Sequence, residues 1–239
     1  KEWIPTWLRP LMSWAYSSLE SFAATKFNSL VAATETTHAR FNSLNKNSFL
    51  IMNFPLIQEV VASGNYSKSN DFVWCGMLSP IRSCHQLDKA FGESKFHLDV
   101  IGTVVDFTPS TNNINLLGVF DQSEAFSMSK DYLAGIVTYL PEPNSLDALP
   151  NKIFEYMALG LPVIASNFPH WIELVEETGC GICVDPESVE EIKGALAWMS
   201  ENPIEAKSMG ERGRRQVMEK YSWASEQFKL IEMYEEVLR

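Results

Sequence analysis

Apolar residues recur at helical spacing near the start of the chain (Leu8, Leu11, Tyr16, Leu19, Phe22), with Trp3, Trp7 and Trp14 close by. "SLVAAT" (29–34) then predicts a strand, Thr34 a cap for a helix running to about Leu44, and "SFLIMN" (48–53) a second strand. The pattern lapses in "NFPLIQEVVASGNYSKSND", polar and Gly/Ser-bearing, the composition of a domain boundary. Beyond it, short apolar runs alternate with helical stretches. The predicted strands are 72–76, 96–102, 114–119, 134–139, 162–166 and 181–184, and the helices fall near 83–92, 121–131, 150–159, 169–178 and 187–200. Residues 203–239 read as helical, with Ser222 placed to cap "WASEQFKLIEMYEEVL".

Several of these strands ("FVWCG", "AGIVTY", "PVIAS") are nearly continuous apolar runs, as expected where both faces of a parallel sheet are covered. The expected fold is α/β: a Rossmann-like doubly wound parallel sheet with a partial second α/β domain. The expected boundaries are 1–55 for the partial domain, 56–70 for a linker, 71–221 for the sheet domain and 222–239 for a C-terminal helix. A doubly wound sheet takes its ligand outside the carboxyl ends of its strands, in the βα loops.

Charge and cysteine usage narrow the ligand. The net charge is −11, the wrong sign for a chain that must neutralise phosphates along a duplex, so no nucleic-acid partner is expected. Four scattered cysteines do not make a disulfide framework. "CGIC" (180–183) has metal-ligand spacing, yet no second pair faces it, and a buried small hydrophobe is the simpler reading of Cys183. No apolar run reaches the ~20 residues of a membrane span and no signal peptide is visible. A cytoplasmic chain is expected, and its start at Lys1 reads as part of something longer.

The chemistry concentrates in "DALPNKIFEYMALGLPVIAS" (147–166). Pro150 suits the first helical position, where its missing N–H costs nothing. The free amides after it, Asn151 and Lys152 among them, and the positive end of the helix dipole make an anion site, to which Lys152 adds a point charge. Glu155 lies within reach of a ligand above that helix start, and a carboxylate can take both hydroxyls of a cis-diol. A surface glutamate on an amphipathic helix is the plain alternative. A second patch, "CGMLSPIRS" (75–83), sets Gly76 at a strand end and Arg82 just before a helix; the first admits a ligand to the backbone and the second can fork onto phosphate. Together the two patches describe a nucleoside diphosphate held between two βα loops.

"DALPNKIFEYMALGLPVIASNFPHWIELVEETGCGICVDP" resembles the C-terminal half of retaining GT-B glycosyltransferases of family 4, particularly bacterial surface-polysaccharide enzymes. Those carry an acid, seven intervening residues and a Glu, a spacing that Asp147 and Glu155 reproduce. The resemblance covers 71–239 well and 1–55 more loosely, as the end of an N-terminal acceptor domain. It implies that Glu155 binds the ribose, that the amides of Leu149, Pro150's neighbour Asn151 and Lys152 hold the diphosphate, and that Arg82 neutralises it. It also implies that Asp147 faces the donor sugar, that the Gly118–Val119 turn lies beside the base, and that the C-terminal helix crosses back to the N-terminal domain. The family needs no metal ion. The donor would be a nucleotide-diphospho-sugar, with UDP favoured over GDP or ADP, and the acceptor a glycan or lipid-linked glycan. The sequence departs from the family's pattern in Asp147 for the usual Glu, in Met77, and in Ser83 where a glycine is usual.

Two other readings share the nucleotide site: a GT-B-type nucleotide-sugar epimerase or phosphorylase, and a non-catalytic module binding a nucleotide sugar or a partner subunit. The tryptophan-rich start could lie at a membrane interface, giving peripheral contact with the inner face of the membrane, or could pack between domains; few basic residues there favour packing. His38, His85, His97 and His170 share no spacing and read as structural.

Overall fold

The computed structural model describes residues 4–56, 68–146 and 148–238. The chain divides into two compact units, Lys1–Asn53 with Glu226–Arg239, and Phe54–Ser225. In the smaller unit, α1 (Arg9–Ala24) precedes β1 (Leu30–Ala32), α2 (Glu35–Leu44) and β2 (Ser48–Leu50), and the two strands pair in parallel, Leu30 opposite Ser48. Thr34 caps α2 by accepting the Thr37 amide at 3.3 Å, as its position predicts. The apolar residues of α1 and its approach, Trp7, Leu11, Trp14, Leu19 and Phe22, are exposed. Glu226 is buried, accepts the Met52 amide at 2.8 Å and pairs with Lys229 at 2.7 Å.

The larger unit runs β3 (Lys68–Cys75), α3 (Cys84–Gly92), β4 (His97–Ile101), β5 (Ile114–Gly118), α4 (Gln122–Ser129), β6 (Tyr132–Val137), α5 (Pro143–Leu146), α6 (Asn151–Leu159), β7 (Val163–Ser166), α7 (Pro169–Thr178), β8 (Gly181–Val184), α8 (Val189–Glu201) and α9 (Pro203–Glu219). α10 (Trp223–Val237) begins here, directly after Ser222, and most of it belongs to the smaller unit. β3 starts earlier than its apolar run indicates. All six strands are parallel, in the order β5-β4-β3-β6-β7-β8. Every residue of β6 and β7 is buried, which is why these segments read as unbroken apolar runs. Phe72, Trp74, Leu87, Phe91, Leu98, Leu133, Ile164, Ile192 and Leu196 form the main core under α3 and α8.

Read from β3, this is the doubly wound order 3-2-1-4-5-6, and the strand order reverses between β3 and β6. A crevice opens at such a point because the chain leaves the two neighbouring strands in opposite directions. α6 is fixed beside it by Tyr156. A Cβ on Gly135 of β6 would lie 2.3 Å from the Tyr156 ring, so only glycine lets the helix sit so close. The β3–β6 ladder ends at Val73 opposite Gly135. The Tyr156 hydroxyl fills the next rung, accepting the Cys75 amide at 2.8 Å and donating to the Val73 carbonyl at 3.3 Å. Burial pushes that phenol well above its ordinary pKa, so it stays a neutral donor and acceptor.

α6 ends at Gly160, whose φ of +76° allows the Gly160 amide to reach Met157 O at 3.0 Å and the Leu161 amide to reach Tyr156 O at 2.9 Å. α9 braces two such helix ends: Arg214 donates to the Ala158 carbonyl and Arg212 Nε to the Gly179 carbonyl at 2.9 Å. Both cations sit where the helix dipoles are negative.

Candidate functional site

The site is built on glycines at strand ends. Gly76, Gly102 and Gly118 close β3, β4 and β5 with φ of +114°, +149° and +93°. Their backbones interlock: Gly76 N–H donates to Ile101 O at 2.8 Å, and Gly102 N–H to Gly118 O at 2.7 Å. A Cβ on Gly102 would fall 2.1 Å from the Gly76 carbonyl oxygen. Gly102 was not among the residues singled out from the sequence; that three successive strands end on glycine is the signal that could have found it. Past the glycines the two loops stay paired, Leu78 N–H to Thr103 O at 2.8 Å and Val105 N–H to Leu78 O at 2.9 Å, giving a stiff rim.

The start of α6 meets this rim. The helix begins at Asn151, not at Pro150, which is extended (φ −72°, ψ 136°) and occupies the N-cap position. The correction has a simple cause: the proline carbonyl already accepts the first helical bond, from Ile153 N–H at 3.1 Å, while its own ψ is not helical. The amides of Asn151 and Lys152 still belong to the orphan first turn. The loop before them is pinned by Trp171 of α7, whose indole N–H donates to the Ala148 carbonyl at 2.6 Å. Asp147 lies outside the described residues.

Lys152 and Glu155 form an ion pair, Nζ to Oε2 2.5 Å. Glu155 is buried and the Lys152 side chain is 32% exposed. The lysine stem lies against Gly76: a Cβ there would be 3.3 Å from Lys152 Cε. The structure therefore brings Gly76, Lys152 and Glu155 together across the switch point. Arg82 ends a one-turn 3-10 helix, Pro80–Arg82, and its guanidinium stacks over Tyr139, 5.2 Å from the ring centre, at the carboxyl end of β6. Leu140 N–H donates to Ile81 O at 2.9 Å, joining the same two loops. Tyr139 in turn contacts Trp171 edge-on at 5.4 Å. Nothing in the sequence marks Tyr139 or Trp171 for these tasks. Ser83 has φ +53°, a left-handed geometry that favours glycine. Its hydroxyl and that of Thr138, just past β6, are buried without a hydrogen-bond partner among the described residues.

Of the remaining predicted positions, Gly118 and Val119 lie two strands away on the same edge and are exposed, Leu149 and Pro150 are half-buried, and Asn151 is exposed. The arrangement offers an anion three things: helix-start amides, a lysine and an arginine. Beside them stands a carboxylate for hydroxyl donors. No group of His, Cys, Asp and Glu able to hold a metal occurs among the described residues. Burial pushes the thiols of Cys180 and Cys183 up to about 11 and about 12, so both are protonated at neutral pH. His97 is not enclosed in its strand: it starts β4 half-exposed, its Nδ1 3.3 Å from Asp71. No helix among the described residues is long and apolar enough to cross a membrane.

The MMP alpha-(1->4)-mannosyltransferase of Mycolicibacterium hassiacum is 26% identical over 159 residues, 64% of this chain and 39% of that protein. Among solved structures, a mutant of S. aureus TarM in complex with Fondaparinux, alpha-GlcNAc-glycerol and UDP superposes with a TM-score of 0.71 at 16% identity, covering 88% of this chain and 44% of that one. Anabaena HepE in complex with UDP-glucose superposes with a TM-score of 0.72 at 17% identity, over 92% and 67%. These two likenesses establish the fold. The chain thus spans well under half the length of the mannosyltransferase and of TarM. The family "Glycosyl transferases group 1" matches residues 62–216, more than half of the chain and all of the site just described, and the chain belongs to that family.

Proposed function

We propose that this chain supplies the donor-binding half of a retaining, metal-independent glycosyltransferase that moves a sugar from a nucleotide-diphospho-sugar to a hydroxyl of a glycan or glycolipid. The observation that carries the reading is the convergence of Gly76, Lys152 and Glu155 at the switch point, beside the first turn of α6. In this reading Glu155 accepts the two ribose hydroxyls, the amides around Leu149 to Lys152 and the Arg82 guanidinium take the diphosphate, and the base lies beside Gly118 and Val119. Asp147 faces the sugar. As the bond between the anomeric carbon and the phosphate oxygen breaks, its electron pair stays on the departing phosphate. The acceptor hydroxyl oxygen bonds to the anomeric carbon, and the hydroxyl proton passes to the departing phosphate. The dipole of α6, Lys152 and Arg82 then stabilise the added negative charge in the role a divalent ion fills elsewhere. The acceptor site would come mainly from an N-terminal domain of which 1–55 is the end, with 222–239 the helix crossing back to it. A cytoplasmic location with lipid-linked acceptors at the inner membrane face is part of the same proposal. UDP is the favoured nucleotide, because HepE and TarM were solved with UDP or UDP-glucose.

Calorimetric titration with UDP, GDP and ADP, with and without magnesium, tests it. The expected result is that one diphosphate, UDP first, binds in the micromolar to low millimolar range with affinity unchanged by magnesium within about twofold. Binding that needs the metal, or no binding of any of the three at millimolar concentration, would overturn it.

A further inference from the structure

Lys152 has two candidate partners: the phosphate of a bound nucleotide, and Glu155. Its ammonium lies 2.5 Å from Glu155 Oε2, three residues along the same helix. Pairs at this spacing on a solvated surface contribute little, because water screens them and both side chains rotate freely. Here both freedoms are reduced. Glu155 is buried, so its carboxylate needs a partner in place of water. The lysine stem is held against Gly76, where a Cβ would stand 3.3 Å from Cε. The missing side chain at Gly76, whose φ of +114° favours glycine, leaves the space beside the lysine stem.

We propose that Lys152 is a positioning residue for Glu155: it holds the carboxylate in the orientation that receives the two ribose hydroxyls, in addition to any charge it offers the diphosphate. The inference rests on the reading of Glu155 as the ribose-binding group. An ammonium has three donors, so bonding to one carboxylate oxygen leaves two for phosphate, and the carboxylate keeps both lone pairs of Oε1 and one of Oε2 for the two hydroxyls. The lysine then couples the two halves of the nucleotide. A chain that holds its phosphate badly also presents a misaligned carboxylate, and discrimination for ribose is lost with it.

The test separates these roles by comparing UDP with 2′,3′-dideoxy-UDP, whose ribose hydroxyls are both missing. Dissociation constants for the pair are measured by calorimetry on the wild-type chain, Lys152→Met, Glu155→Gln and the double variant, with melting temperatures to confirm folding. In the wild type the dideoxy compound is expected to bind about 10–100-fold more weakly, the loss of hydrogen bonds to a charged group. Glu155→Gln should cut that ratio to below about fivefold. The proposal requires Lys152→Met to cut it as well, to below about fivefold, with the double variant no lower than either. A Lys152→Met chain that weakens UDP and its dideoxy analogue by one common factor, with the ratio intact, would show a phosphate ligand alone and overturn the proposal. A ratio that Glu155→Gln leaves unchanged would instead overturn the ribose reading itself. Should Lys152→Met fail to fold, Lys152→Gln, which keeps a donor for Glu155, carries the same comparison and should retain an intermediate ratio.

Discussion

Gly135→Ala is expected to destabilise the Phe54–Ser225 unit by about 2–3 kcal/mol, seen as a fall of about 4–12 °C in its melting temperature. Two effects oppose each other. Replacing glycine by alanine usually stabilises by about 0.4–1 kcal/mol, because the unfolded chain has fewer conformations to lose. Against it stands a methyl group that would lie 2.3, 2.4 and 2.6 Å from three atoms of the Tyr156 ring, where ordinary carbon contacts are about 3.5–4.0 Å. The ring cannot swing aside, because Tyr156 is fully buried and its hydroxyl is bonded to both Cys75 and Val73. The clash therefore decides the sign. Relief must come from α6 moving outward, which carries Lys152 and the helix-start amides with it, so nucleotide affinity should fall together with stability. An unchanged midpoint in urea unfolding would contradict this account of how α6 is held.

Glu155→Ala is expected to have the opposite profile: little change in stability and a large loss of binding. Removing the carboxylate also removes the cost of burying it, and the charge left behind, Lys152, is about one-third exposed and can turn to water, so the cost to folding should stay below about 1 kcal/mol. Affinity for the nucleoside diphosphate should drop by about 10–100-fold, or about 1–3 kcal/mol, the cost of removing a charged acceptor from buried hydroxyl donors. The measurement is a calorimetric titration beside a thermal melt. A drop in melting temperature with unaltered affinity would make Glu155 a structural residue of the helix.

Much of the sheet was legible because burial on both faces makes β6 and β7 continuous apolar runs, and because each intervening helix keeps a 3.6-residue pattern. The helix start at 150–155 was legible from spacing: a proline, free amides and a glutamate about one turn inside the same helix. What stayed hidden depends on other parts of the chain. Tyr156 reads as one more apolar helix position in "EYMALG", and only the end of the β3–β6 ladder at Val73 and Gly135 gives its hydroxyl a task. The Lys152–Glu155 spacing is visible, but the nearness of the lysine stem to Gly76 is not. Trp171 and Tyr139 support the site from α7 and the end of β6, too far along the chain for any local pattern to link them to Ala148 and Arg82. Pro150 was misplaced by one residue because a proline serves equally well at a cap, where its extended ψ is an advantage, as inside the first turn.

The central claim is that a nucleoside diphosphate binds where β3 and β6 part, against the first turn of α6. Backbone amide spectra of the ¹⁵N-labelled chain, recorded during titration with UDP, test it most directly. The account predicts that the largest shifts fall on Gly76, Gly102, Asn151, Lys152 and Ile153. Largest shifts in the shallow groove between β8 and α8, around Cys183, Glu191 and Trp198, with the α6 amides unmoved, would contradict it.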